Sequence, residues 1–288
     1  MQIVSDRGMD LTPEQMEGLE IHLIPLLIIL EGKTYRSGVD IQPDEFYRLL
    51  NSTNALPTTS LPSPGEIAET YRKLAKKDPD ILSIHISSGL SGTYNAAQTA
   101  ADMVSEEANV TVVDTKTLSG AEGWQVHAAA RAVKAGWPLE RILALIQKVC
   151  EATDTVYTLA TLRYLIHGGR ISHIKGLLAN ALRIKPLIGV EKEGGTYVQV
   201  SQTRTLKRAI LKIGDVVAER YPPGTAMRIQ VLHGHNIEGA TLLRERLEQL
   251  FDCTWLPTSS IAPVLGAHTG PGLVGIAYGP ANAYTEIP

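Results

Sequence analysis

Sulfur and large aromatic residues are scarce in this chain: 288 residues hold two cysteines, two phenylalanines and three tryptophans. Cys150 and Cys253 stand far apart and away from any His-rich spacing. That excludes a disulfide framework or a zinc site and fits reduced, buried thiols in a cytoplasmic protein. No His/Asp/Glu cluster has metal-ligand spacing, so no metal is expected. There is no Lys/Arg block and no interleaved aromatic stripe. With 27 basic against 30 acidic side chains and a net charge of −3, nucleic acid is not an expected partner. The longest apolar run near the start, Leu23 to Leu30, is broken by Pro25 and is far too short to span a bilayer. Met1-Gln2-Ile3-Val4-Ser5-Asp6 has neither the basic nor the apolar region of a secretion signal. The P-loop pattern Gly-x-x-x-x-Gly-Lys-Ser/Thr is also missing, which argues against an ATP site of the chain's own.

What is present is an ordinary soluble composition, 44% apolar and 20% charged, in a chain long enough for two domains. Strand and helix signals alternate in the first half. Ile3-Val4 opens a strand, Thr12-Pro13-Glu14-Gln15 has the capping-box signature of a helix start, and Ile21 to Ile29 reads as one apolar strand. Helices follow Pro43 and Ser63-Pro64-Gly65-Glu66. Strand Ile81–Ile86, helix Thr93–Val104, strand Val110–Val113 and helix Gly123–Ala135 then form a βαβα series, which implies a parallel sheet covered by helices. A further helix runs from Pro138 to about Ala152. Beyond it, Lys185–Glu191 and Tyr197–Gln202 flank Glu193-Gly194-Gly195-Thr196, an antiparallel hairpin signal. Helices Thr205–Glu219 and Ile237–Leu250, strands near Met227–Leu232 and Thr254–Leu256, and a last strand Val274–Tyr278 complete the chain. The reading is α/β, with an N-terminal parallel domain over 1–150 and a mixed α/β domain over 151–288.

The most informative segment is Ser87-Ser88-Gly89-Leu90-Ser91-Gly92-Thr93-Tyr94, between an apolar strand and an alanine-rich helix. A strand that turns through glycine and hydroxyl residues into a helix presents free backbone N–H groups, a site for a carboxylate or phosphate. The plain alternative is a helix cap in which Ser91 or Thr93 satisfies its own backbone. Other loops share its texture. Pro57-Thr58-Thr59-Ser60-Leu61-Pro62-Ser63-Pro64 is stiffened by proline and projects Thr59 and Ser60. Asp114–Gly123 is a further such loop. Gly168-Gly169-Arg170-Ile171-Ser172 couples a permissive turn to a guanidinium suited to an anion. Gly266-Ala267-His268-Thr269-Gly270-Pro271-Gly272 reads as a glycine loop that carries His268 close to a ligand. Arg204, just before a helix start, is cationic at the wrong end of the dipole, which favours an anion-facing role.

A second chemistry fits part of this pattern. Gly89-Leu90-Ser91-Gly92-Thr93 misses the nucleophile-elbow signature only at its last position, and Ser91, Asp114 and His268 stand in hydrolase order. Thr93 would crowd the close strand–helix packing that a glycine permits there, and no separate oxyanion motif precedes it.

Taken in order, Ile3-Val4-Ser5-Asp6, Thr59-Ser60-Leu61-Pro62-Ser63-Pro64, Ser87 to Tyr94, Val113-Asp114-Thr115, Tyr164-Leu165, Gly168-Gly169-Arg170-Ile171, Lys185-Pro186 and His268-Thr269-Gly270-Pro271-Gly272 span almost the whole chain. This ordered set resembles the DegV family of bacterial fatty-acid-binding proteins. The resemblance implies a two-domain α/β fold, similar to part of dihydroxyacetone kinases, with one long-chain fatty acid of the palmitate, stearate or oleate class in a tunnel between the domains. It implies Thr59 and Ser91 on the carboxylate, with Ser60, Gly92, Arg170, Arg204 and His268 in the head-group vicinity. It further implies a carrier with no cofactor or kinase site of its own, which presents its lipid to a separate fatty acid kinase subunit. Arg7, where the family carries serine, and Leu61, where glutamine is usual, depart from the pattern. Leu61 is expected to make the pocket mouth more apolar.

Overall fold

A computed structural model describes residues 1–174 and 184–288. The first half builds a four-stranded, all-parallel sheet of β1 (Gln2–Asp6), β2 (Ile21–Ile24), β6 (Asp80–His85) and β7 (Asn109–Asp114), in the order β2-β1-β6-β7. Alternation along β1 sends Val4 to one face, packed on α3 (Pro64–Ala75) and α4 (Thr93–Met103), and Ile3 to the other. Ser63 caps α3 with a full capping box, as Thr12 caps α1 (Pro13–Met16).

The apolar run read as one strand over Ile21–Ile29 is two. Pro25 has no N–H to give a ladder, so the chain turns there. β3 (Leu27–Leu30) leaves the parallel sheet and forms a small antiparallel one with β4 (Lys33–Arg36) and β5 (Thr58–Ser60), in the order β4-β3-β5. The proline-rich stretch around Thr59 is therefore a strand rather than a stiff loop, with Thr59 opposite Ile28. Between β4 and β5 lies α2 (Pro43–Ser52).

The second half builds a mixed sheet. Its strands are β8 (Asp154–Thr158), β9 (Lys185–Val190), β10 (Tyr197–Thr203), β11 (Ala226–His233), β12 (Asp252–Trp255), β13 (Ser259–Ser260) and β14 (Val274–Pro280). The order is β10-β9-β8-β14-β11-β12, with β13 also on β11. The expected hairpin is present as β9 and β10, with a register shift between Gln199 and Ser201. α8 (Leu206–Arg220) and α9 (Ile237–Glu248) cover one face. Before β8 come α5 (Ser119–Lys134) and α6 (Leu139–Ala152).

α5 joins the halves. It packs against β1 of the first sheet and β8 and β14 of the second, and 12 of its 16 residues are buried, which is the signature of a helix between layers. It starts four residues earlier than Gly123 because Gly120 and Gly123 are packing glycines and not loop residues. A Cβ on Gly120 would sit 3.1 Å from Gln230 and Leu232, and one on Gly123 would sit 3.0 Å from Leu11.

Polar groups are embedded in this layer. Asp6 accepts from Gly8 N–H at 2.7 Å and from His85 Nδ1 and Ile86 N–H at 3.0 Å. His85 Nε2 then accepts from Ser83, which accepts from Tyr71, each at 2.8 Å. With Asp6 as acceptor, the proton on His85 is fixed at Nδ1. Glu122 of α5, beside Asp6, is fully buried with no donor facing either oxygen among the described residues. Burial, followed by the nearby Asp6, Asp10 and Asp114, pushes its carboxyl well above the ordinary range. Carrying a proton, Glu122 becomes a donor to Asp6. The folded chain thus binds a proton that the unfolded chain releases, so this group's contribution to stability falls as pH rises above about 4.3. Glu122→Gln should match wild type in urea denaturation at acid pH and exceed it progressively toward pH 8. A variant that is less stable than wild type at pH 8 would show that Glu122 is held charged.

Candidate functional site

The strands of the parallel sheet end at Asp6 and His85, and the crevice beyond such ends is where ligands sit in open α/β folds. Here the crevice is closed by elements from the second half. α10 (Pro263–Thr269) lies across it, together with Arg170 from a 3-10 turn over Arg170–His173 and Tyr197 at the start of β10, and α7 (Arg163–His167) packs on α10. The β9–β10 turn docks on the loop before α4: Ser87 Oγ donates to Gly195 O at 2.8 Å, and a Cβ on Gly89 would overlap Gly194 O. Glycine is required there by close approach of two backbones.

Together they enclose a cavity of about 70 Å³. Thr59, Ser91, Arg170 and His268 form its polar side, with Ser60 at the rim; Leu26, Ile86, Leu90, Leu118, Val264 and Leu265 form its apolar side. A second, almost wholly apolar cavity of about 30 Å³ lies beside it and shares Leu118, Leu265 and Thr269 as walls. Leu61 lines the first cavity and packs toward Gly92, which is the N-cap of α4. Arg7 is elsewhere, laid over Gly38 beside an outer groove. Arg204 is exposed just past β10 and lines neither cavity.

Two hydroxyls define the polar end. Thr59 Oγ1 lies 2.7 Å from His268 Nε2. Ser91 Oγ lies 2.8 Å from Thr93 Oγ1 and accepts from Thr93 N–H at 3.3 Å. His268 is not in a glycine loop, as the sequence suggested, but in the last turn of α10. Gly266 lies inside that helix because a Cβ there would press on Tyr47 and Phe46 of α2. Burial, and then the charges of Arg170 and His167, push His268 down to about 4, so the ring is neutral at pH 7. Its Nδ1 is buried without a hydrogen-bond partner among the described residues. Gly168 is what makes room for it, since a Cβ there would overlap Nδ1. Gly169, at φ 75°, makes the turn that returns Arg170 to donate to Gly168 O at 2.8 Å.

The hydrolase arrangement is not assembled. Asp114 accepts from Ser88 Oγ at 2.5 Å and from Lys116 N–H at 3.0 Å, His268 faces Thr59, and Ser91 faces Thr93. Tyr197 lines the cavity and was not singled out from sequence, because only the register of β10 against β9 carries it there.

A family model described as "Uncharacterised protein, DegV family" matches residues 1–281. The chain belongs to the DegV family. A DegV domain-containing protein of Staphylococcus aureus is 36% identical over 274 residues, covering 95% of this chain and 96% of that one. Among solved structures, DegV from Bacillus subtilis, a fatty acid binding protein, superposes with a TM-score of 0.86 at 29% identity, covering 97% of this chain and 98% of that one. A stearic acid-binding protein from Eubacterium ventriosum superposes with a TM-score of 0.81 at 26% identity, covering 97% and 98%. The DegV fold accounts for both the N-terminal parallel sheet and the C-terminal mixed sheet.

Gly168→Ala should drive the imidazole off Thr59 and destabilise the chain by about 1–3 kcal/mol through overpacking. By NMR, His268 of wild type should titrate near pH 4 and that of the variant closer to the ordinary value of about 6.5. Because the fold keeps His268 neutral where an unfolded chain would protonate it, wild type should lose this contribution as pH falls between those two values. An unshifted His268 in Gly168→Ala would mean that the glycine does not set the ring's position.

Proposed function

We propose that this DegV protein carries one long-chain fatty acid of the palmitate, stearate or oleate class, with its carboxylate between Thr59 and Ser91. The observation that carries this reading is that Ser91 Oγ accepts from Thr93 N–H and that Thr59 Oγ1 lies 2.7 Å from His268 Nε2, a ring nitrogen placed to donate to it. With Nε2–H of the neutral His268 donated to Thr59 Oγ1, the Thr59 proton is free for an anion. With Thr93 donating to Ser91 Oγ, the Ser91 proton is free in the same way. The α4 N-terminus, capped by Gly92 without a side-chain bond, adds a favourable field, and Arg170 adds a cation. His268 acts here as an orienting donor and not as a charge.

The tail continues past Leu118 and Leu265 into the second cavity. Burial releases about 0.8 kcal/mol per CH₂, so about fifteen carbons supply on the order of 12 kcal/mol before ordering costs. The cavities themselves, about 70 and 30 Å³, have room for a few waters, so an acyl chain enters only as these walls part. The fatty acid binding described for the Bacillus subtilis and Eubacterium ventriosum proteins supports this class of ligand. We further propose a cytoplasmic carrier of two domains, 1–150 and 151–288, with no catalytic step of its own, that presents the carboxylate to a separate kinase subunit. Arg170 is the cation nearest the head group in this account, and the exposed Arg204 is left for the partner's side. No described helix is long and apolar enough to cross a membrane.

Thr59→Val and Ser91→Ala should each weaken fatty-acid binding by about 1.5–3 kcal/mol, the range for hydrogen bonds to a charged group. Fatty alcohols of equal length should lose far less. Calorimetry with matched acid and alcohol decides this, and equal losses for both would mean that these hydroxyls support the loops without reading the charge.

A further inference from the structure

Leu118 and Leu265 are walls of both cavities, so the neck that a tail would pass runs between them, and the segments that carry them converge on one buried carboxylate. Ser119 Oγ donates to Asp10 Oδ2 in a short hydrogen bond, and Ala262 N–H donates to Asp10 Oδ1 at 2.7 Å. Ser119 follows Leu118 at the start of α5, and Ala262 is the N-cap of α10, which carries Leu265 and His268. Asp10 itself is a fixed post: its backbone carbonyl accepts from Gln230 Nε2 at 3.2 Å, and Gln230 Oε1 in turn accepts from Trp124 Nε1 at 2.8 Å. Ser119 sits at φ 60°, a left-handed conformation that costs a non-glycine residue. We propose that Asp10 is the latch of the acyl tunnel, a positioning residue whose two hydrogen bonds hold Leu118 and Leu265 together and set the rate at which a long tail enters and leaves.

This rests on the fatty-acid reading and adds a rate-setting residue to it. Burial pushes Asp10 up to about 7, against the opposing effect of its bonds from Ser119 and Ala262. The charged and titratable groups facing it are Glu122 from α5, whose carboxyl is pushed well above its ordinary range, Tyr47 from α2, whose phenol is raised by burial, and Arg7 and Glu14 along the outer groove. Opening toward that groove hydrates the carboxylate, so the ionised form favours opening. Exchange should therefore quicken as pH rises toward 7 and level off above it.

The test is stopped-flow exchange of oleate from pH 5 to 8 on wild type, Asp10→Asn and Ser119→Ala, with acetate exchange, followed by NMR line broadening, as the control carboxylate small enough for the first cavity as it stands. Oleate exchange from wild type should accelerate by up to about tenfold per pH unit below pH 7. Asp10→Asn should be slow and flat with pH, and Ser119→Ala should be about tenfold faster than wild type at pH 8. Acetate should respond to none of these changes, which a merely structural role for Asp10 would not predict. An Asp10→Asn profile that tracks wild type, or acetate changing in parallel with oleate, overturns the latch. If Asp10→Asn does not fold, unchanged oleate exchange in Ser119→Ala overturns it. Failure of wild type to take up oleate at all would end the fatty-acid reading itself, a result distinct from normal loading with unaltered exchange.

Discussion

Thr59 and His268 are 209 positions apart in the chain, yet their side chains meet at 2.7 Å. α10 packs directly on β3, β5 and α2 to make that contact, and α5, buried between the two sheets, joins the halves that carry β5 and α10. Its helix presents apolar side chains and packing glycines to both layers, and the one acidic group it carries into the core, Glu122, is accommodated as a neutral donor to Asp6. A charged Glu122 in that place would meet carboxylates on several sides with no donor. Its carboxyl is pushed well above the ordinary range by that burial and by the neighbouring acids.

In the proposed carrier the same arrangement divides the work of holding an amphipathic ligand. Affinity would come from apolar area, which is insensitive to small shifts in the walls. Discrimination for an acid would come from the hydroxyls of Thr59 and Ser91, whose oxygens have protein groups beside them. A neutral imidazole suits this task better than an imidazolium. It orders Thr59 without placing a permanent cation beside a buried chain, and it leaves the charge to Arg170 at the wall. The small volume of the cavities follows from tight packing of Leu118 and Leu265 around an anchored backbone.

Much of this was legible in the residues. The βαβα alternation, the hydroxyl-rich lead into α4, the β9–β10 hairpin and the Gly168-Gly169-Arg170 turn are local patterns, dictated by period and turn chemistry. The misses share a cause. Pro25 lies within an apolar run whose periodicity gave no sign that its halves join different sheets. Gly120, Gly123 and Gly266 look like loop residues, yet each lies in a helix that packs too closely for a Cβ, a fact held by distant partners such as Leu11, Gln230 and Tyr47. Tyr197 and Asp10 matter through register and long-range hydrogen bonds, which no short window contains. Arg204 stood out through its unfavourable place before a helix, and the structure leaves it exposed, outside both cavities.

The proposed carrier role requires that this chain hold a single acyl chain by burying its tail. Native mass spectrometry of the purified protein, followed by denaturing mass measurement and organic extraction, addresses that directly. The prediction is a native mass above the denatured mass by one fatty acid, with that acid recovered in the extract. Identical native and denatured masses, an extract free of lipid and no uptake of added palmitate or oleate would contradict it.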